Sequence, residues 1–346
     1  MMKGGKFSFV LVFVLSLHAT GLTFGQTKLK IGYIPVGGAM PLYIAVEKGY
    51  LTQAGIQFEL QAFHGSGPMI APLAANQMQI APNGINVGLF NAIGRGMPII
   101  AVASASVNIP KHSVENYMVR ADLKDKIRRV SDLKGRKVAF NTKVATFAYS
   151  LGTALEKEGL SLKDIQIVTI GFPEMRIAFE TKAIDVAAVV DPVATMIADQ
   201  GFAVKWKKTF DFVKNPYMQT FAVQYNGDWA AKNATAATNF ITAWLKAARY
   251  YFEAVELGKN REEIVDIAMK YTSSKQRWIF DRVDWTYANP NGYVDKESLQ
   301  NQIDWYFANG YITKRLSVDQ VVNNNYVEQA LKQLGTYEVV HTHPLD

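Results

Sequence analysis

The chain of 346 residues contains no cysteine. That excludes a disulfide framework, a thiolate metal centre and anchoring through a lipid-modified cysteine. Histidine is scarce too, at His18, His64, His112, His341 and His343. Neither a Gly-x-Ser-x-Gly elbow nor a His-Glu-x-x-His pair occurs, so no nucleophile and base, and no metalloprotease pair, can be assigned. Only 19% of residues are charged, and the net charge of +7 is spread thinly, with short basic clusters at Lys124–Arg129 and Lys205–Lys208. Nucleic-acid binding needs a basic stripe that the sequence does not offer. Beyond the first residues there is no apolar run long enough to span a bilayer, which takes about 20 residues. A large chain can bury a sufficient core without covalent staples.

Lys3 and Lys6 precede the apolar run Phe9–Leu17, and small and polar residues follow. This is the layout of a secretory signal peptide, expected over residues 1–25 with cleavage before Gln26. Removing it leaves a net charge of +5. A periplasmic location follows. His341 and His343 lie in a terminal tail that reads as frayed, and no metal or cofactor is expected.

From Leu29 onward strands and helices alternate. Lys30–Ile34, Gln57–Ala62, Gln79–Ala81 and Pro98–Ala105 read as strands, with helices at Met40–Ala54, Met69–Gln77 and Val87–Ile93 between them. The cycle restarts with strands at Asn116–Arg120, Lys137–Phe140, Gln166–Ile170, Asp185–Val190 and Phe202–Trp206, and helices at Phe147–Glu158, Glu174–Lys182 and Pro192–Gln200. Such alternation means mainly parallel sheets covered on both faces, here in two α/β lobes. A further strand at Tyr217–Gln224 precedes helices near Phe240–Val255, Glu262–Tyr271, Lys296–Asn309 and Val318–Gln333. Their aromatic stripe reads as core.

Open parallel sheets bind ligands where strand carboxyl ends feed helix N-termini, because the unpaired N–H groups there favour acceptors and anions. Five turns fit: Pro35 to Gly38, Gly65 to Gly67, Pro82 to Gly84, Thr142 to Thr146, and Asp191-Pro192. Candidate ligand contacts are Pro35, Gly37, Gly38, Ser66, Gly67, Asn83, Thr142, Ala145, Thr146, Phe147, Glu174 and Asp191. Ser66, Asn83, Thr142 and Thr146 supply short polar side chains. Glu174 and Asp191 could bind an amine or simply satisfy a helix N-terminus. Phe147 and Phe172 could stack on a ring or line the core. His64 could donate to a ligand, and Arg176 could pair with a carboxylate or sulfonate, although a solvated position is the commoner reading of each.

The ordered motifs also carry a resemblance. Lys30-Ile31-Gly32-Tyr33, Leu42-Tyr43-Ile44-Ala45 and Glu47-Lys48-Gly49-Tyr50-Leu51 open the chain. Gly65-Ser66-Gly67-Pro68, Asp132-Leu133-Lys134-Gly135-Arg136-Lys137-Val138-Ala139, Ile184-Asp185-Val186-Ala187 before Asp191-Pro192, and Asn309-Gly310-Tyr311-Ile312 follow in sequence. The set resembles the solute-binding proteins of ABC transporters for alkanesulfonates, taurine, nitrate and related compounds, a superfamily that includes the thiamine-pyrimidine-precursor group. The resemblance implies a type II periplasmic binding protein fold with a two-crossing hinge near Asn108–Val114 and Lys214–Gln219. It places residues 29–108 with 222–337 in one lobe and 109–221 in the other, and carries the family's binding loops onto Pro35 to Gly38, Ser66, Gly67, Asn83, Thr142 to Thr146 and Asp191. The implied activity is capture of a small organic anion, such as a sulfonate, sulfate ester or aromatic carboxylate, by a monomer that delivers it to an ABC permease in the inner membrane. A pyrimidine or other heterocycle is the alternative ligand. A pyrimidine-synthase-like enzyme is the third reading, but that branch carries a cysteine-rich motif absent here.

Overall fold

A computed structural model of the chain describes Met1 and residues 28–110, 112–213 and 217–339. The expected signal peptide and the two tail histidines lie outside the described residues, apart from Met1. The strands are β1 (Leu29–Tyr33), β2 (Phe58–Ala62), β3 (Ile80–Gly84), β4 (Ile99–Asn108), β5 (Glu115–Arg120), β6 (Lys137–Phe140), β7 (Gln166–Thr169), β8 (Val186–Val190), β9 (Ala203–Lys208) and β10 (Met218–Asn226). They form two five-stranded sheets, ordered β2-β1-β3-β10-β4 and β7-β6-β8-β5-β9. Among the described residues no helix is long and apolar enough to cross a membrane.

Each sheet is parallel except where a crossing strand enters it. β1 runs parallel to β2 and β3, and β6 parallel to β7 and β8. β5, reached after the first crossing, lies antiparallel between β8 and β9. β10, reached on the return, lies antiparallel between β3 and β4. The central strand of the second sheet, Val186–Val190, is apolar throughout, because helices cover both faces. Edge strands β2 and β7 are partly exposed. β4 is an edge too, yet nearly all of it is buried. The C-terminal segment covers it: Ala101 N–H donates to Val321, Ser104 N–H to Gly292 and Val107 N–H to Tyr287, each onto the carbonyl. That contact removes a free strand edge.

The helices after β10 pack on the first sheet's lobe. The helix Ala234–Glu256 lies against the helices Met40–Glu47 and Asn325–Leu334. Its aromatic stripe is core, as expected. Trp244 is fully buried, stacks on Phe240 and donates its indole N–H to the Ser104 carbonyl at 3.1 Å. The helix Lys296–Ala308 also touches the helix Thr146–Lys157 of the other lobe.

Several local expectations are corrected. Pro82-Asn83-Gly84 is not a turn but the end of β3, paired antiparallel with Val223, Ala222 and Phe221. Proline is tolerated there because β1 pairs with β3 only at Ile31–Ile80, so Pro82 lies beyond that ladder. β10 begins at Met218, so residues 218–221 join the first sheet rather than the second lobe, opposite the boundary expected at 222. The expected helix Val318–Gln333 is a 3-10 turn at Val318–Gln320 followed by a helix at Asn325–Leu334. Helix Met40–Ala54 breaks at Gly49, whose φ of 68° suits glycine.

Trp244→Ala removes a large buried ring and leaves the Ser104 carbonyl without its donor. The expected cost is about 3–5 kcal/mol, read as a lower urea midpoint, with the first-sheet lobe losing its near-ultraviolet dichroism first.

Candidate ligand site between the lobes

The loops after β1, β2 and β3 face those after β6, β7 and β8, and they meet. A Cβ on Gly37 would lie 3.7 Å from the Asp191 carbonyl oxygen and 3.7 Å from Val114. One on Gly65 would lie 3.2 Å from the Asn141 carbonyl, and one on Gly67 would lie 3.9 Å from the Thr142 methyl. Asn86 and Ala145 form an isolated antiparallel bridge, with the Val87 N–H donating to the Val144 carbonyl at 3.3 Å. Glycine at 37, 65 and 67 therefore serves close approach between the two halves.

Pro35 forms a wall of a small cavity of about 30 Å³ with Phe63 and His64 on one side and Phe172, Pro173 and Val193 on the other. This brings together His64 and Phe172, which the sequence had left between two readings. Thr142 reaches the Gly65 loop, and its buried hydroxyl has no partner. Ala145 precedes the helix Thr146–Lys157, and Thr146 starts it.

Other candidates turn inward. Gly38 packs on the Phe221 ring inside the first lobe. Ser66 is buried with its hydroxyl over Gly84, and its carbonyl accepts from the Asn83 amide at 3.2 Å. Asn83 also donates to Gln224 at 3.3 Å, so it positions the Ser66 loop from within the sheet. The Phe147 ring meets Tyr117 edge to face in the second lobe's core. Glu174 is the third residue of the helix Phe172–Glu180, not the first, and its exposed carboxylate folds over Gly171 at that helix's start. Asp191 is buried, and its oxygens accept from Thr195 N–H at 3.0 Å, Thr195 Oγ1 at 2.7 Å, Lys205 Nζ at 3.0 Å and Asn116 Nδ2 at 3.3 Å. Its carboxylate is thereby fully occupied, and only its backbone faces Gly37. Arg176 lies on the outside, paired with Glu180 and stacked over Phe202.

Sequence reasoning missed a buried acid at the first crossing between the sheets. Glu115 begins β5 and is buried. Its carboxyl accepts from Asn108 Nδ2 at 2.6 Å, from Thr146 Oγ1 at 3.3 Å and from the Thr209 hydroxyl. Burial raises its pKa from 4.5 to about 7, against the lowering effect of those three bonds. Thr146 is thus tied to a carboxyl. The available signal was an acid placed directly ahead of a strand buried almost throughout. Tyr306, from the helix Lys296–Ala308, stands between the lobes beside Phe90 and Tyr149, with a buried hydroxyl that has no partner.

Polar contacts close the rims. Glu156 Oε1 accepts from Trp305 Nε1 at 3.0 Å and Asn309 Nδ2 at 3.1 Å, and the Trp305 ring fills the notch left by Gly152. On the other side Arg282 pairs with Asp199 at 2.8 Å and Lys208 with Asp284 at 2.5 Å. Among the described residues no cluster of three or more His, Asp or Glu could hold a metal ion.

Two expectations follow. The folded protein holds the Glu115 proton more tightly than the unfolded chain, so stability falls as pH rises from about 4.5 to 7 and levels off above. The rise from 4.5 to about 7 is worth roughly 3 kcal/mol. Glu115→Gln should flatten that dependence, matching the parent's melting temperature at acid pH and exceeding it above neutrality. Gly152→Ala would drive a methyl into the Trp305 ring and part that rim. A larger radius of gyration by small-angle scattering, with the helical dichroism unchanged, is the expected result.

Comparison with known proteins places this geometry. A putative aliphatic sulfonates-binding protein of Bacillus subtilis (strain 168) is 24% identical over 96% of this chain and 98% of that protein. The alkanesulfonate-binding protein from Xanthomonas axonopodis pv. citri, bound to MOPS, superposes with a TM-score of 0.71 at 18% identity, covering 86% of this chain and 98% of that one. The periplasmic nitrate-binding protein from Synechocystis PCC 6803 gives 0.70 at 19% identity, covering 90% of each. The fold is that of the periplasmic binding proteins, as the paired β2-β1-β3-β10-β4 and β7-β6-β8-β5-β9 sheets require. The NMT1/THI5-like family model matches residues 38–255, well over half the chain, and the protein belongs to that family.

Proposed function

We propose that the protein is the solute-binding component of an ABC importer, acting as a periplasmic monomer that closes on a small organic molecule and delivers it to a membrane permease. The observation that carries this reading is the meeting of loops from two lobes linked by two backbone crossings. A ligand held there touches both lobes at once, so it favours the closed arrangement over an open one by whatever contacts only both lobes can make. Binding without chemical change is the expected action, in keeping with the binding proteins among its relatives.

Two ligand classes have support. A sulfonate, sulfate ester or aromatic carboxylate is supported by the helix N-terminus at Thr146 and by what the relatives bind. A nitrogen heterocycle is supported by the Phe63 and Phe172 walls of the small cavity between the lobes.

A thermal-shift screen of residues 26–346 against sulfonates, sulfate esters, aromatic carboxylates, nitrate, pyrimidines and flavins tests the reading. A solute at 100 times its dissociation constant should stabilise the fold by about 2.7 kcal/mol and leave the incubation with unchanged mass. Conversion of the solute would instead favour an enzyme. Gly67→Leu places a side chain between Gly67 and Thr142, and should weaken binding of the hit at least tenfold while leaving the free protein's melting temperature within about 2 °C.

A further inference from the structure

A second cavity between the lobes, of about 20 Å³, is walled by Gly37, Tyr251 and Trp285 from one lobe and by Val114, Asp191 and Pro192 from the first crossing and the other lobe. It adjoins the cavity beside Phe63 and Phe172, because three stretches of chain give consecutive residues to the two: Val36 and Gly37, Pro192 and Val193, and Thr272 and Ser273. Since its walls come from both lobes, the cavity opens to the cleft when the lobes part. Its volume suits one oxygen-sized group, which needs roughly 10–15 Å³.

Two donors on its walls have nothing to bond. Tyr251 lies on the helix Ala234–Glu256 and Trp285 in the segment after the helix Arg277–Phe280, and their ring centroids are 6.1 Å apart. The Trp285 indole N–H is buried without an acceptor, and an indole nitrogen can only donate. The Tyr251 hydroxyl is buried too. The backbone N–H of Thr286 beside it is itself a donor, so the hydroxyl proton has no acceptor. Buried polar groups are rarely left in that condition. The Arg261 guanidinium stacks on the Trp285 ring at 4.2 Å, and among the described residues no carboxylate pairs with it. Its positive charge adds to the pull on an electron-rich atom nearby. The two carboxylates on the walls are already spent, Asp191 on Lys205 at 3.0 Å and Asp284 on Lys208 at 2.5 Å.

We propose that Tyr251 and Trp285 form an acceptor subsite of the cleft, whose O–H and N–H take one oxygen atom of the solute when the lobes close. The inference rests on the binding role above and names residues that select within it. The chemical class is a group with an exposed oxygen lone pair: a sulfonate, sulfate ester, carboxylate, nitrate, carbonyl or N-oxide. A protonated amine has no lone pair to offer and leaves both donors unmet. The adjoining cavity between Phe63 and Phe172 takes the apolar part of the solute beside that oxygen. Both donors belong to one lobe, so an open protein already presents them, and Val114 and Pro192 cover the oxygen on closure.

The indole N–H resonances of isotope-labelled protein, followed by nuclear magnetic resonance, test the proposal. The chain has six tryptophans, so Trp285→Phe identifies its resonance by deletion. The probes are nitrate, methanesulfonate, benzenesulfonate, benzoate and pyridine N-oxide, with benzylamine as the contrast. The expected result is a downfield shift of the Trp285 indole proton with at least one oxygen probe, and none with benzylamine. In Tyr251→Phe the affinity for that probe should fall by about threefold to tenfold, the worth of one hydrogen bond. The free variant should melt as the parent does, because only an unsatisfied hydroxyl is lost. A probe that binds without moving the Trp285 resonance, or that moves it yet binds Tyr251→Phe as tightly as the parent, would overturn the subsite and leave the transport role standing. A resonance unmoved by every oxygen probe would overturn it too, and a lower melting temperature of Tyr251→Phe in that case would mark a resident water in the cavity. Failure of every solute in the thermal-shift screen to bind would overturn the transport role as well.

Discussion

Everything in this molecule hangs on the chain crossing twice between two sheets. Each crossing delivers a strand that cannot extend the parallel series and instead wedges in antiparallel, β5 between β8 and β9 and β10 between β3 and β4. Each sheet thereby carries, next to an edge strand, a strand that has just left the other lobe. The two crossings tether the lobes at one edge, which leaves rotation about that edge as the natural relative motion. The carboxyl ends of the parallel strands in both sheets then point into one cleft.

The hydrogen bonds at the crossings are where fold and site become the same thing. Asn108, Glu115 and Thr209 come from the ends of β4, the start of β5 and the turn after β9. A carboxyl buried among them costs stability once ionised, and the three bonds it accepts offset only part of that cost. Asp191 shows the contrasting solution. It is as deeply buried, but four donors including the Lys205 ammonium satisfy it. One acid is thus locked into the scaffold of the second lobe, while the other is buried at the first crossing beside Asn108, whose Oδ1 has no partner.

The rims close by a different physics. Trp305 enters a notch that exists only because residue 152 lacks a side chain, and its indole N–H reaches Glu156. The opposite rim uses the partly exposed ion pairs Arg282–Asp199 and Lys208–Asp284. Exposed pairs of that kind contribute little individually. Shape at one rim and charge at the other therefore hold the lobes together weakly.

The sequence by itself determined the architecture. Alternating apolar strands and helices, punctuated by glycine and proline, gave two α/β series, because burial on both faces of a parallel sheet demands that pattern locally. The turns after β1 and β2 were legible for the same reason: Gly37, Gly65 and Gly67 announce close backbone approach. What only tertiary structure decided was the direction in which polar side chains point. Asp191 and Ser66 read as ligand contacts but turn inward, Phe147 joins the core, and Glu115 passes unremarked in a strand. Their partners, Lys205, Gly84, Tyr117 and Asn108, are far off in sequence or reached only through a crossing. Local pattern fixes which residues lie on a strand or at a helix start. Whether a carboxyl there meets an ammonium, three hydroxyl and amide donors, or an open cleft depends on segments that folding alone brings together.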